Sequence, residues 1–101
     1  MTTERPDGAD PANSFIAVVT IGNRRGLHAR AAARFVKLAG GFEAEVSVIK
    51  KDVVVSGRSI MGLMMLAAGP GCALELRASG RQGREALAAL VALVAGRFDE
   101  D

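Results

Sequence analysis

The chain has 101 residues, half of them hydrophobic, which suits one small domain with its own core and excludes two. The net charge is +2 and the pI about 9.2, with four Phe and no Trp or Tyr, so neither a strongly basic nucleic-acid surface nor an aromatic platform for stacking bases is indicated. One Cys and one His cannot complete a tetrahedral zinc site or an internal disulfide, so no metal and no cofactor is expected.

No apolar run approaches the roughly 18 residues of a membrane span. Residues 1–8 lack the apolar segment of a secretory signal. A cytoplasmic, reducing compartment fits, with Cys72 as a small buried hydrophobe.

Residues 1–14 are polar and rich in Pro, Gly, Asp and Asn, and read as a disordered tail. The β-branched run 15–21 predicts a strand, and 22–26 a loop. From about 29 to 39 the period is helical. Ala32, Phe35, Val36 and Ala39 share one face, Arg30, Arg34 and Lys37 the other, and Gly40 and Gly41 stop the helix. Residues 42–49 alternate, with Phe42, Ala44, Val46 and Val48 on one side, which predicts a second strand. A turn over 50–52, without glycine, leads to a third at 53–55. Ser59 is placed to cap a short helix reaching about Ala67, and the segment 69–71 ends it. Residues 72–78 alternate again, with Leu74, Leu76 and Ala78 inward. A last helix over about 82–97 carries Leu87, Leu90, Val91 and Val94 as its stripe.

The order β-α-β-β-α-β-α predicts an α+β open-faced sandwich: a four-stranded antiparallel sheet with three helices on one face. The expected domain covers 15–98, and 99–101 is an acidic end.

His28, the only histidine, lies between a glycine loop and the first helix, two residues before Arg30. A neutral imidazole is a nucleophile near pH 7. A helix start offers unpaired backbone N–H groups, here of Ala29 and Arg30, and the positive end of the macrodipole. Arg30 adds a charged donor for phosphoryl oxygens. The alternative is that His28 simply caps a surface helix and Arg30 is a solvated side chain.

Two separated motifs carry a family resemblance. Gly26-Leu27-His28-Ala29-Arg30, with Ala32, Phe35, Val36 and Ala39, and then Ser59-Ile60-Met61-Gly62-Leu63-Met64, resemble the HPr family of histidine phosphocarriers of the bacterial phosphotransferase system. The resemblance covers about 15–97. It departs at Ala31, where the family often has proline, and near Asp52, where a turn glycine is common. A proline is favoured in a first helical turn but not required there.

The resemblance implies a carrier without turnover of its own. His28 would accept a phosphoryl group on Nδ1 from phospho-enzyme I, drawn from phosphoenolpyruvate, and pass it to an EIIA-type protein of a sugar or nitrogen branch. Ala29 and Arg30 would hold the group. Ile60, Met61 and Met64, with Arg34 and Lys37, would form the docking surface, while Leu63, Leu66 and Ala67 face the core; the alternative keeps all the methionines as core filler. Arg24 and Arg25 would extend the positive rim, or be plain solvated charges. Ser59 matches a serine that a kinase, opposed by a phosphorylase, modifies in some members; otherwise it is an N-cap. A carrier that must release both partners is expected to be a monomer. Two rival classes are a regulatory adaptor switched by phosphorylation at His28 or Ser59, and a small nucleic-acid-binding domain with salt-sensitive affinity.

Overall fold

The computed structural model describes residues 14–100. Its elements are β1 (Ser14–Thr20), α1 (Ala29–Ala39), β2 (Glu45–Lys50), β3 (Val53–Ser56), α2 (Ile60–Met65), β4 (Ala73–Ser79) and α3 (Gly83–Ala95), followed by a short turn, Arg97–Asp99. Of the predicted tail, residues 1–13 lie outside the described residues, and Ser14 opens β1.

The sheet runs β1-β4-β2-β3 and every pairing is antiparallel. Alternation in each strand decides which side faces the helices. The register lines up Ala17, Leu76, Val48 and Val55 as one inward row across all four strands. The opposite row, Val18, Glu75, Ile49 and Val54, lies on the helix-free face. There Ile16, Val18 and Val54 are exposed, which an antiparallel sheet with one solvated face allows.

Helix α3 packs on β1, β4 and β2, while α1 packs against both α2 and α3. Phe35, Leu63, Leu74, Leu76, Leu90 and Phe98 fill the core between the layers. Cys72 is only half-buried, packed at the edge of that core rather than within it.

Several boundaries differ from the sequence reading. Phe42 and Ala44 belong to the loop before β2, and Lys50 ends that strand; the turn is Lys51–Asp52. Lys51 itself takes φ +56°, the left-handed conformation a glycine would otherwise supply. Gly40 closes α1 at φ −67°, so that helix ends without a left-handed cap. Helix α2 stops at Met65, because Ala67 turns to φ +52°; Ala67 is exposed, and Ala68 takes the buried place predicted for it. The chain leaves α3 two residues earlier than expected. Arg97, Phe98 and Asp99 then make three successive left-handed steps. Such steps cost non-glycine residues roughly 1–2 kcal/mol each. Full burial of the Phe98 ring, worth about 1.5–3 kcal/mol, offsets part of that.

Candidate functional site

The loop between β1 and α1 is shaped by the chain that leaves α2. Ile21 N–H donates to Cys72 O at 2.9 Å, and Gly71 N–H donates to Ile21 O at 2.8 Å. Leu27, buried just before the histidine, donates its N–H to Ala68 O at 2.9 Å. Within the loop, Asn23 is fully buried and its Nδ2 donates to Gly26 O at 2.8 Å. These bonds fix the backbone on which the next residue stands.

That residue, His28, is the N-cap of α1. Its backbone is extended, at φ −75° and ψ 177°, and its side chain makes no capping bond. The first helical bond runs from Ala32 N–H to His28 O at 2.8 Å. The N–H groups of Ala29, Arg30 and Ala31 therefore precede the ladder and find no backbone partner among the described residues. The first turn holds no acidic residue to occupy them.

The imidazole is held from the other end of the chain. Its Nε2 lies 2.9 Å from Oε1 and 3.1 Å from Oε2 of Glu100. Asn23 Nδ2 also donates to Glu100 Oε1, at 3.0 Å. The Asn23 bond, the His28 bond and the charges of His28 and Arg34 hold the Glu100 carboxyl below its ordinary pKa, against a smaller opposing effect of burial. The ring's Nδ1 has no hydrogen bond among the described residues.

Arg30 is exposed in the first turn of α1 and makes no ion pair or hydrogen bond among the described residues. Arg34 differs from its expected place on the outer face. It is half-buried, and its Nη1 donates to Phe98 O, fastening the turn that precedes Glu100. Lys37, Arg24 and Arg25 are exposed.

Ser59 caps α2, its Oγ accepting from Gly62 N–H at 2.9 Å. Lys50 Nζ closes the opposite end by donating to Leu66 O at 2.9 Å. On this helix Leu63 and Leu66 are buried, while Ile60, Met61 and Met64 are exposed. Met65, 77% exposed, joins them and was not foreseen; with Met61 at 71% it makes the methionine-as-core alternative untenable for both.

Glu100, Asn23 and Phe98 were missed in the sequence. A fully buried Asn in a turn and an acidic residue 72 positions from the histidine give no periodic signal that joins them. Among the described residues no group of three or more His, Cys, Asp or Glu side chains could hold a metal ion, and no helix is long and apolar enough to cross a membrane.

Residues 16–96 match the family described as the PTS HPr component phosphorylation site. A phosphocarrier protein HPr of Pseudomonas aeruginosa is 53% identical over 83 residues, spanning 81% of this chain and 92% of that protein. A phosphocarrier protein NPr of Shewanella violacea is 43% identical over 82 residues, spanning 81% and 90%. A crystal structure of an HPr from Thermoanaerobacter tengcongensis superposes with a TM-score of 0.83 at 39% identity, covering 86% of this chain and 98% of that one. The four-stranded antiparallel sheet with its three helices, the histidine at the start of α1 and the match along almost the whole described chain agree: the protein belongs to the HPr/NPr family of phosphocarriers of the phosphotransferase system, and is a phosphoryl carrier rather than an enzyme.

Proposed function

We propose that His28 takes the phosphoryl group on Nδ1 from phosphorylated enzyme I and hands it to a histidine of an EIIA-type protein, in a sugar or nitrogen branch of the system. One observation carries this reading. The imidazole is tied down through Nε2 at the start of α1, beside N–H groups that the helix does not use. An anion bound at Nδ1 would meet those N–H groups and the positive end of the helix dipole.

The Nδ1 lone pair attacks phosphorus while the N–P bond of the donor breaks and its electron pair returns to the donor nitrogen. The N–H groups of Ala29 and Arg30, with the Arg30 guanidinium, neutralise charge on the phosphoryl oxygens. Transfer onward reverses these steps against the acceptor. The protein supplies position and electrostatics, which is most of what phosphoryl transfer requires.

Ile60, Met61, Met64 and Met65 give both partners an adaptable apolar surface, and the exposed cations Lys37, Arg24 and Arg25 favour acidic ones. Successive short-lived complexes suit a monomer in the cytoplasm.

Incubation with enzyme I and phosphoenolpyruvate, followed by intact-mass analysis, tests the reading. Wild type should gain one acid-labile phosphoryl group and His28→Ala none. An unmodified wild type, with an enzyme I active on another carrier, would overturn it.

A further inference from the structure

We propose that Glu100 is a positioning residue that keeps the ring proton of His28 on Nε2 throughout the phosphoryl cycle, leaving Nδ1 as the nitrogen that reacts. This rests on the reading of His28 as phosphoryl acceptor.

The geometry carries it. Both carboxylate oxygens of Glu100 lie within hydrogen-bond distance of Nε2. An ionised carboxylate can only accept, so Nε2 must donate. The carboxylate is itself held from two sides. Asn23 Nδ2 has two N–H bonds, and it uses one on Gly26 O and the other on Glu100 Oε1. The turn before Glu100 is anchored by the buried Phe98 ring and by the bond from Arg34 to Phe98 O. A histidine oriented through one nitrogen by a fixed acceptor presents the other nitrogen in one tautomer.

The consequence for the chemistry is specific. When Nδ1 attacks phosphorus, a new N–P bond forms, and the Nε2–H bond stays intact. The ring becomes positively charged beside the carboxylate. When the phosphoryl group leaves, the N–P electron pair returns to Nδ1, and the departing group is a neutral imidazole rather than an imidazolate. No proton enters or leaves the ring in either direction. Among the described residues, Arg34 is the other charged side chain whose field acts on this carboxylate.

The test uses the full chain with Glu100→Ala and Glu100→Gln. Glu100 is partly exposed, and Phe98 still anchors the turn, so both variants should keep the wild-type circular dichroism spectrum and a cooperative unfolding transition, shifted only by the loss of the carboxylate's own bonds. In nitrogen-15 NMR of the unphosphorylated protein, wild type should give a one-bond proton signal at Nε2 that exchanges slowly with water. Glu100→Ala should lose that slow exchange. In Glu100→Gln the amide can also donate towards Nε2, so the variant should show an increased share of the Nδ1–H form. Phosphoryl uptake from enzyme I should fall about tenfold in both, the effect expected when a charge-assisted hydrogen bond to a developing charge is removed. An unchanged Nε2–H signal together with wild-type uptake rates would overturn the role of Glu100 alone. Failure of wild type to take up a phosphoryl group at His28 would overturn the underlying reading as well.

Discussion

Gly26 packs against the Ala68 carbonyl so closely that a methyl group on it, already strained by φ +64°, would collide with that oxygen and stand 2.9 Å from the Cα of Gly69. The strain and the collision act together, because neither backbone atom can rotate away. Gly26→Ala should therefore lose about 2–4 kcal/mol, read as a lower urea midpoint at unchanged slope. Since Leu27 is bonded to the same carbonyl, phosphoryl uptake should fall too. A variant as stable as wild type would mean that the loop has another conformation of equal energy.

Arg30 is exposed, and its side chain makes no hydrogen bond or ion pair among the described residues. Arg30→Ala should leave the melting temperature within a degree or two, since substitutions away from packed features usually cost under about 0.5 kcal/mol. Uptake from enzyme I should drop on the order of tenfold to a hundredfold, the loss expected for one charged donor on a phosphoryl group. Stopped-flow transfer rates beside thermal melts separate the two effects.

Ser59 supplies the side-chain cap of α2. Ser59→Ala should cost about 1 kcal/mol, whereas Ser59→Asp, which can still accept from Gly62 N–H, should retain that stability. The added charge next to Ile60 and Met61 should nevertheless weaken partner binding. Calorimetric titration against enzyme I for both variants checks this; equal affinity for wild type and Ser59→Asp would remove α2 from the docking surface.

Leu63 and Met61 lie on opposite faces of the same short helix, one fully buried and the other exposed. Leu63→Ala should cost about 2–5 kcal/mol. Met61→Ala should cost little stability and should raise the dissociation constant of the enzyme I complex. A large stability loss for Met61→Ala would place that side chain in a core contact.

The depressed pKa of Glu100 makes part of the stability dependent on pH. The folded state holds this proton less tightly than the unfolded chain does. The carboxylate's contribution is therefore fully present above its ordinary value near 4.5, and it is lost as pH falls through the lower folded value. Melting curves of wild type and Glu100→Gln should keep a constant separation from pH 7 down to about 5, then converge on further acidification. A separation that persists unchanged through that acid range would mean that the Asn23 and His28 bonds do not depend on the charge.

The parts of this molecule that announce themselves in the sequence are those with a local cause. Alternation placed Leu74, Leu76 and Ala78 on the inner face, and Ser59 was recognisable as a cap because the group it accepts from is three residues away. His28 stood out by its position between a glycine loop and a helix. The rest of its surroundings depends on contacts between distant segments. Arg34 obeys the helical period and yet bends to Phe98 O, and Lys50 looks like a turn residue until Leu66 O is brought beside it. The left-handed run at Arg97, Phe98 and Asp99 contains no glycine or asparagine to signal it; it exists because burial of Phe98 and the bonds of its neighbours oppose the strain.

The strand order has a kinetic consequence. Of the three pairings in the sheet, only β2 with β3 joins neighbours in sequence, through a two-residue turn, while β4 must insert between β2 and β1 after most of the chain has been threaded past. Closing those long loops comes before the contacts that reward it, so folding should be slower than in a helical bundle of this length. Because the histidine loop is bonded to Ala68, Gly71 and Cys72, on the segment that leads into β4, the reactive shape of His28 arises with that late closure and has no independent existence before it.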